Sequence, residues 1–205
     1  MPLQGRTKQD VLSEFRCAEI LDAARGIFAR KGFEAATMDD IAAAAGVGKG
    51  TLYLYYRSKR DIYLAALGGG LREIRDRTQA AVGAATTIHD KIRAFVLTKV
   101  HYFNEHRDFY RIYHAEFGNL VTHPSCLPDE LMALYLQQVQ QLEGALAEAR
   151  DQHLVRAVDP GKTAFAVFEI TRGLIIRRLL DQSTTGAEDD GAFIVDLIWK
   201  GIAQR

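Results

Sequence analysis

The chain has 205 residues, 48% apolar and 25% charged, with Lys+Arg and Asp+Glu equal at 26 each. Those proportions exclude a disordered chain and a polycationic coat, and the two cysteines, Cys17 and Cys126, exclude a disulfide framework. The neutral total hides an asymmetry: residues 1–60 hold ten Lys/Arg against seven Asp/Glu, the remainder 16 against 19.

That balance fits a mildly basic, nucleic-acid-facing end on an acidic body. No apolar run reaches membrane-spanning length and the N-terminus lacks an apolar signal core, so a cytoplasmic protein with reduced thiols and no membrane partner is expected.

Residues 1–12 are polar, with Pro2 and Gly5 near the start, and read as a flexible arm in which Arg6 and Lys8 are candidate minor-groove contacts. The first helix is predicted over Ser13–Lys31, with Ile20, Leu21, Ala24, Ile27 and Phe28 on one face and Gly32 as its stop.

Thr37 then stands at an N-cap position with Asp40 three residues on, a capping-box pattern. Ile41, Ala42 and Ala45 supply an apolar face, and Gly46 suits a left-handed C′ position. A second short helix follows over Lys49–Tyr56, and Ser58 with Asp61 caps another. Two short helices about a glycine turn, with small Ala42 at the crossing and Leu52 beneath, make a helix-turn-helix. Lys49, Gly50, Thr51, Tyr53 and Tyr55 on the second helix combine a cation, a hydroxyl, two phenols and a position without a side chain. Such a surface can approach a DNA groove and neutralise phosphate. Thr37, Lys49, Tyr55 and Lys59 are assigned to phosphate, and Gly50, Thr51 and Tyr53 nearer base edges.

Residues 20–67 resemble the DNA-binding domain of the tetracycline-repressor (TetR) family. The resemblance rests on ILDAA…F…KGF, on T-x-x-D-I-A-x-x-A-G-V, on KGTLY and on Y-x-S-K at the start of the fourth helix. It covers about the first third of the chain. It implies an all-α fold with a helical body behind the reading head, dimerisation through the last two helices and inducer binding in the body.

The fourth helix is predicted from Lys59 to about Val82, with Ile62, Leu64, Leu67, Leu71 and Ile74 inward. Gly68-Gly69-Gly70 should weaken, bend or break it, each glycine costing about 1 kcal/mol against alanine. A hinge is expected there. Thr87 and Asp90 cap a fifth helix to Glu105, and a sixth is predicted over Asp108–Val121. A seventh runs over Asp129–His153 with Leu131, Leu134, Val139, Leu142 and Leu146 inward. Asp159-Pro160 opens an eighth to about Asp181, and a ninth spans Asp190–Gln204. About nine helices result: an arm at 1–12, a helix-turn-helix domain at 13–60 reaching into the fourth helix to about 74, and a ligand-binding and dimerisation domain at 61–205.

The eighth helix is apolar almost all round, so one side is expected to meet the core and the other, with the ninth helix, a second copy of the chain. Two recognition helices about 34 Å apart then read a palindromic operator. Tyr102, Phe103, Tyr110, Tyr113, Phe117, Phe165 and Phe168, with His114, Glu169 and Arg172 among them, form the candidate effector site. His101 and Glu105 stand at i, i+4, a spacing metal sites use, but with no HExxH or paired-cysteine motif no metal or cofactor is assigned. The expected function is a homodimeric repressor released from DNA by a small, largely apolar molecule. The alternative is an all-helical enzyme using His101, Glu105 or His114, which no nucleophile or cofactor fingerprint supports.

Overall fold

The computed structural model describes residues 7–118 and 127–204. Among them lie nine helices: α1 (Lys8–Ala35), α2 (Met38–Ala44), α3 (Lys49–Tyr55), α4 (Lys59–Ala84), α5 (Ile88–Glu105), α6 (Arg107–Phe117), α7 (Asp129–Asp151), α8 (Pro160–Leu179) and α9 (Ala187–Ile202). The described residues contain no strand, only an isolated antiparallel bridge between Val155 and Ala203.

Two compact units divide the chain: residues 1–69 with 108–126, and residues 70–107 with 127–205. In the first, α6 groups with the N-terminal helices rather than with the rest of the body. Its core is built from Ile20, Ala24 and Phe28 of α1, Ile41 and Ala42 of α2, Leu52 of α3 and Ile62 of α4, all buried. Phe28 and Phe33 each meet Tyr63 of α4 edge-on at 5.0 Å between centroids, which fixes the start of α4 against α1. In the second unit, α7 packs on α8, and α5 packs on α7, α8 and α9. Gly191 of α9 brings α9 against α5 so closely that a β-carbon there would overlap Leu97 Cδ2.

Several boundaries differ from the sequence expectation for local reasons. α1 starts at Lys8 rather than Ser13, because Thr7 and Asp10 form a complete capping box upstream of the first apolar repeat. Residues 1–6 of the expected arm, including Arg6, lie outside the described residues, and residues 8–12 are helical in α1 instead of forming a flexible arm. Gly32 does break the helical path, with φ of 75°, and one further turn follows it to Ala35. α9 starts at Ala187, and Asp190 lies inside it rather than capping it. The end expected for the sixth helix, with Leu120 and Val121, lies outside the described residues, as does Cys126.

α4 is helical without interruption through Gly68–Gly70, so the expected break is absent. Gly68 and Gly70 are buried, and burial of the surrounding helix face outweighs their poor propensity. On α7, Gln138 rather than Val139 occupies the fully buried position.

Candidate nucleic-acid interface and effector region

The helix-turn-helix is built from the bonds its sequence calls for. Thr37 Oγ1 accepts from Asp40 N at 3.1 Å, and the Asp40 carboxylate accepts in turn from Thr37 N–H at 3.1 Å. Lys31 adds a 2.7 Å ion pair to Asp40, and the lysine with the Thr37 hydroxyl holds this carboxyl below its usual range. Gly46 turns the chain with φ of 64°, and Val47 N–H reaches back to Ala42 O at 3.0 Å, closing the C-terminus of α2. The third cap is present too: Ser58 Oγ accepts from Asp61 N at 3.1 Å.

Of the residues expected on the DNA-facing surface, Thr37, Lys49, Gly50, Thr51 and Tyr53 are exposed, and Tyr55 and Lys59 are half-buried. Gly50 has open space where a side chain would project, and Leu52 on the opposite face is fully buried. Lys49 forms a 2.8 Å ion pair with Asp39 of α2, and that carboxylate raises the lysine's pKa above its usual value. Lys59 is engaged inside the unit: its ammonium donates to Glu34 O at 2.9 Å and sits 4.5 Å from the Phe33 ring centroid. Two participants escaped the sequence reading. Asp39, the partner of Lys49, reads as an ordinary first-turn acid. Leu54, 85% exposed on the same short helix, has no role assigned from the sequence.

The candidate effector residues fall in both units. In the first, Tyr110, Tyr113 and Phe117 are buried on α6, with Tyr113 5.1 Å from Phe117 and Tyr110 5.8 Å from His114 between ring centroids. The same helix carries Glu116, which accepts from the Tyr63 hydroxyl at 2.7 Å. Arg25 of α1 packs over Phe109, its guanidinium 5.8 Å from the ring centroid.

In the second unit, Tyr102 is buried, and its one hydroxyl proton is shared between Gly70 O at 3.3 Å and Glu73 Oε2 at 3.2 Å. Phe103 is buried beside it, and Phe168 meets Tyr135 edge-on at 5.5 Å. Glu169 and Arg172 pair with each other at 2.5 Å. Phe165 turns outward at 55% exposure, onto the outer side of α8 rather than among the buried rings. His101 pairs with Glu188 at 2.9 Å, while Glu105 pairs with Arg77 at 3.2 Å, so the i, i+4 pair is drawn to different partners. No three-residue His/Cys/Asp/Glu cluster able to hold a metal occurs among the described residues.

The outer side of α8 and α9 is apolar and exposed. Phe193 is 67% exposed, Leu197, Leu180 and Phe165 are also exposed, and Ile170, Leu174 and Phe193 flank a groove of about 450 Å³. Where α8 meets α9, buried Asp190 takes a 2.6 Å ion pair from Arg178 and hydrogen bonds from Ser183 and Thr185. Burial opposes its ionisation, but these partners together lower its pKa.

Residues 20–66 match the family profile described as bacterial regulatory proteins, tetR family. The uncharacterized HTH-type transcriptional regulator YhgD of Bacillus subtilis is 22% identical over 158 residues, 76% of this chain and 80% of that protein. The HTH-type transcriptional repressor KstR2 of Rhodococcus jostii is 31% identical over 106 residues, 52% of each. Among solved structures, the transcriptional regulator FadR of Bacillus subtilis in complex with stearoyl-CoA shares the fold. Its TM-score is 0.76 at 17% identity, covering 90% of this chain and 98% of that one. No helix among the described residues is long and apolar enough to cross a membrane.

Proposed function

Since the chain belongs to the tetR family of bacterial regulatory proteins and is a DNA-binding transcriptional regulator, we propose that it acts as a homodimeric repressor. A small, largely apolar effector releases it from a palindromic operator. The observation that carries this reading is the outer face of α3. Lys49, Gly50, Thr51 and Tyr53 stand exposed together on a helix whose other face is anchored by Leu52. That face can enter a major groove, with Lys49 and Thr37 on phosphate and Gly50, Thr51 and Tyr53 near base edges. Tyr55 and Lys59 complete the footprint, Lys59 by leaving Glu34 O.

A monomer holds too short a recognition helix to read DNA tightly alone. The exposed apolar residues of α8 and α9 supply the second copy, and two heads about 34 Å apart then meet successive major grooves. In this reading residues 13–60 with the start of α4 read DNA, and residues from 61 onward bind effector and partner. An apolar effector is supported by the buried aromatics of α5, α6 and α8 and by the stearoyl-CoA held by the structural relative.

The test is selection from random duplex DNA followed by anisotropy titrations at several salt concentrations. A palindromic consensus is expected, with Lys49→Ala reducing the slope of log K against log salt by about 1 per subunit. If selection enriches no sequence and binding does not depend on salt, the reading is wrong.

A further inference from the structure

The second unit buries a lysine that neither the reading head nor the dimer surface uses. Lys99 is 2% exposed, on the α5 side that meets α7 and α8. Its Nζ lies 4.6 Å from the ring centroid of Phe168, 5.5 Å from that of Phe95 and 5.8 Å from that of Phe103. It donates one hydrogen bond, to Gln138 Oε1 at 2.5 Å. Gln138 is itself fully buried, and its Nε2 has no partner among the described residues.

An ammonium brings three N–H donors and a carboxamide two, against one amide oxygen. Turning the amide over leaves that count unchanged, so whenever Lys99 is charged donors outnumber acceptors at this point of the core, which is why burial here favours the neutral amine. One turn along α7 from Gln138, the buried acceptor Gln141 Oε1 also has no partner among the described residues.

The charges nearby do not supply the missing acceptor. Glu169 of α8 acts on Lys99 through charge alone, without a hydrogen bond to it, and its Oε2 is taken by Arg172 at 2.5 Å. With Lys99 charged, Lys99, Glu169 and Arg172 would leave one positive charge, and Tyr135 of α7 stays neutral because burial raises its pKa. Burial disfavours the Lys99 ammonium, and an anion at hydrogen-bond distance would restore it. A carboxylate offers two oxygens to the two adjacent donors, Lys99 Nζ and Gln138 Nε2.

We propose that Lys99 and Gln138 form the head-group site for an amphipathic monocarboxylate, whose apolar body lies along Phe95, Phe103 and Phe168. This inference rests on the reading of the chain as effector-responsive and names the chemical class of that effector. Because Lys99 is enclosed, the ligand reaches it by displacing side chains between α5, α7 and α8.

Isothermal titration of the full chain near pH 8, in two buffers of different ionisation enthalpy, tests it with dodecanoate and 5-phenylpentanoate. Dodecanol and methyl dodecanoate serve as uncharged controls. The carboxylates should bind with uptake of a proton fraction approaching one per site, as Lys99 becomes charged. Lys99→Met, whose folding is checked by thermal melting, should lose the uptake and weaken carboxylate binding by at least about 10-fold while leaving dodecanol unaffected. Gln138→Leu should weaken carboxylates but keep the uptake.

Equal carboxylate affinity in Lys99→Met, equal affinity of the wild type for ester or alcohol, or no carboxylate binding at all would each overturn the assignment. An anisotropy titration on DNA separates the two readings. If an alcohol or ester binds and shifts DNA affinity, the effector reading stands and the carboxylate site falls. If a carboxylate binds with proton uptake and DNA affinity does not move, the site stands and the effector reading falls.

Discussion

Tyr63 of α4 donates its phenol to Glu116 of α6 at 2.7 Å, joining the helix that follows the reading head to a helix from the middle of the chain. Burial first, and the carboxylate second, push the Tyr63 hydroxyl far above its ordinary pKa, so it remains a donor at any working pH. Tyr63→Phe removes one partner of a hydrogen bond to a charged group and should cost about 1.5–3 kcal/mol. Urea midpoints measure the loss. Glu116→Gln, which keeps an acceptor, should cost less, and equal losses would mean that the charge carries the bond's whole contribution.

Dimerisation through α8 and α9 predicts that Leu197→Glu separates the subunits. The side chain is exposed in the single chain, so the substitution leaves the monomer fold intact. An unpaired charge buried in an interface is strongly destabilising, by several kcal/mol. Light scattering at micromolar concentration should show a dimer for the wild type and a monomer for the variant. A monomeric wild type would sink the assembly.

Lys99 predicts an alkaline rise in stability. Burial lowers its pKa to about 7 from an ordinary 10.5, with Glu169 opposing the shift. Between those values the unfolded chain carries a proton that the folded chain lacks. Stability should therefore increase as pH rises from about 7, with a slope of up to about 1.4 kcal/mol per unit. Tyr56, raised to about 12 chiefly by burial, acts in the opposite sense only above its unfolded value of 10.0. Urea midpoints at pH values between 7 and 9, at fixed protein concentration, should climb for the wild type and stay level for Lys99→Met. A level wild type would mean that the ammonium is not desolvated.

The α5–α9 crossing depends on Gly191. Gly191→Ala forces its methyl into Leu97 Cδ2 and should cost about 1–3 kcal/mol. Combining it with Leu97→Ala should remove the overlap, so the double variant should be more stable than the two single losses sum to. A strictly additive cycle would mean that the helices simply move apart.

The sequence made the reading head legible because its signals are local. Thr37, Asp40, Gly46, Ser58 and Asp61 act within four residues of themselves, and each forms the bond or dihedral its position implies. What lay hidden depends on distant partners. Gln138 and Lys99 read as solvated polar positions on amphipathic helices, since only the packing of α5 against α7 and α8 encloses them. Gly191 carries no signal in the sequence, and its role shows only once Leu97 is seen beside it. The glycine run in α4 does not break the helix, because propensity counts the backbone alone and not the buried face it belongs to, while the division between the two compact units does fall between Gly69 and Gly70. The apolar wrap of α8 did announce a second surface, but Phe165 belongs to that surface rather than to the buried rings.

The Asp39–Lys49 pair has a kinetic consequence. In the free head a carboxylate already occupies the position where, in the proposed footprint, a phosphate oxygen would sit. Random duplex DNA must compete with this resident anion, so each non-specific encounter gains less and ends sooner. A cognate site, with base-edge contacts to add, still displaces it. Removing the carboxylate by Asp39→Ala would lengthen the time spent on wrong sequences, so the regulator would search a genome more slowly while binding every sequence more tightly.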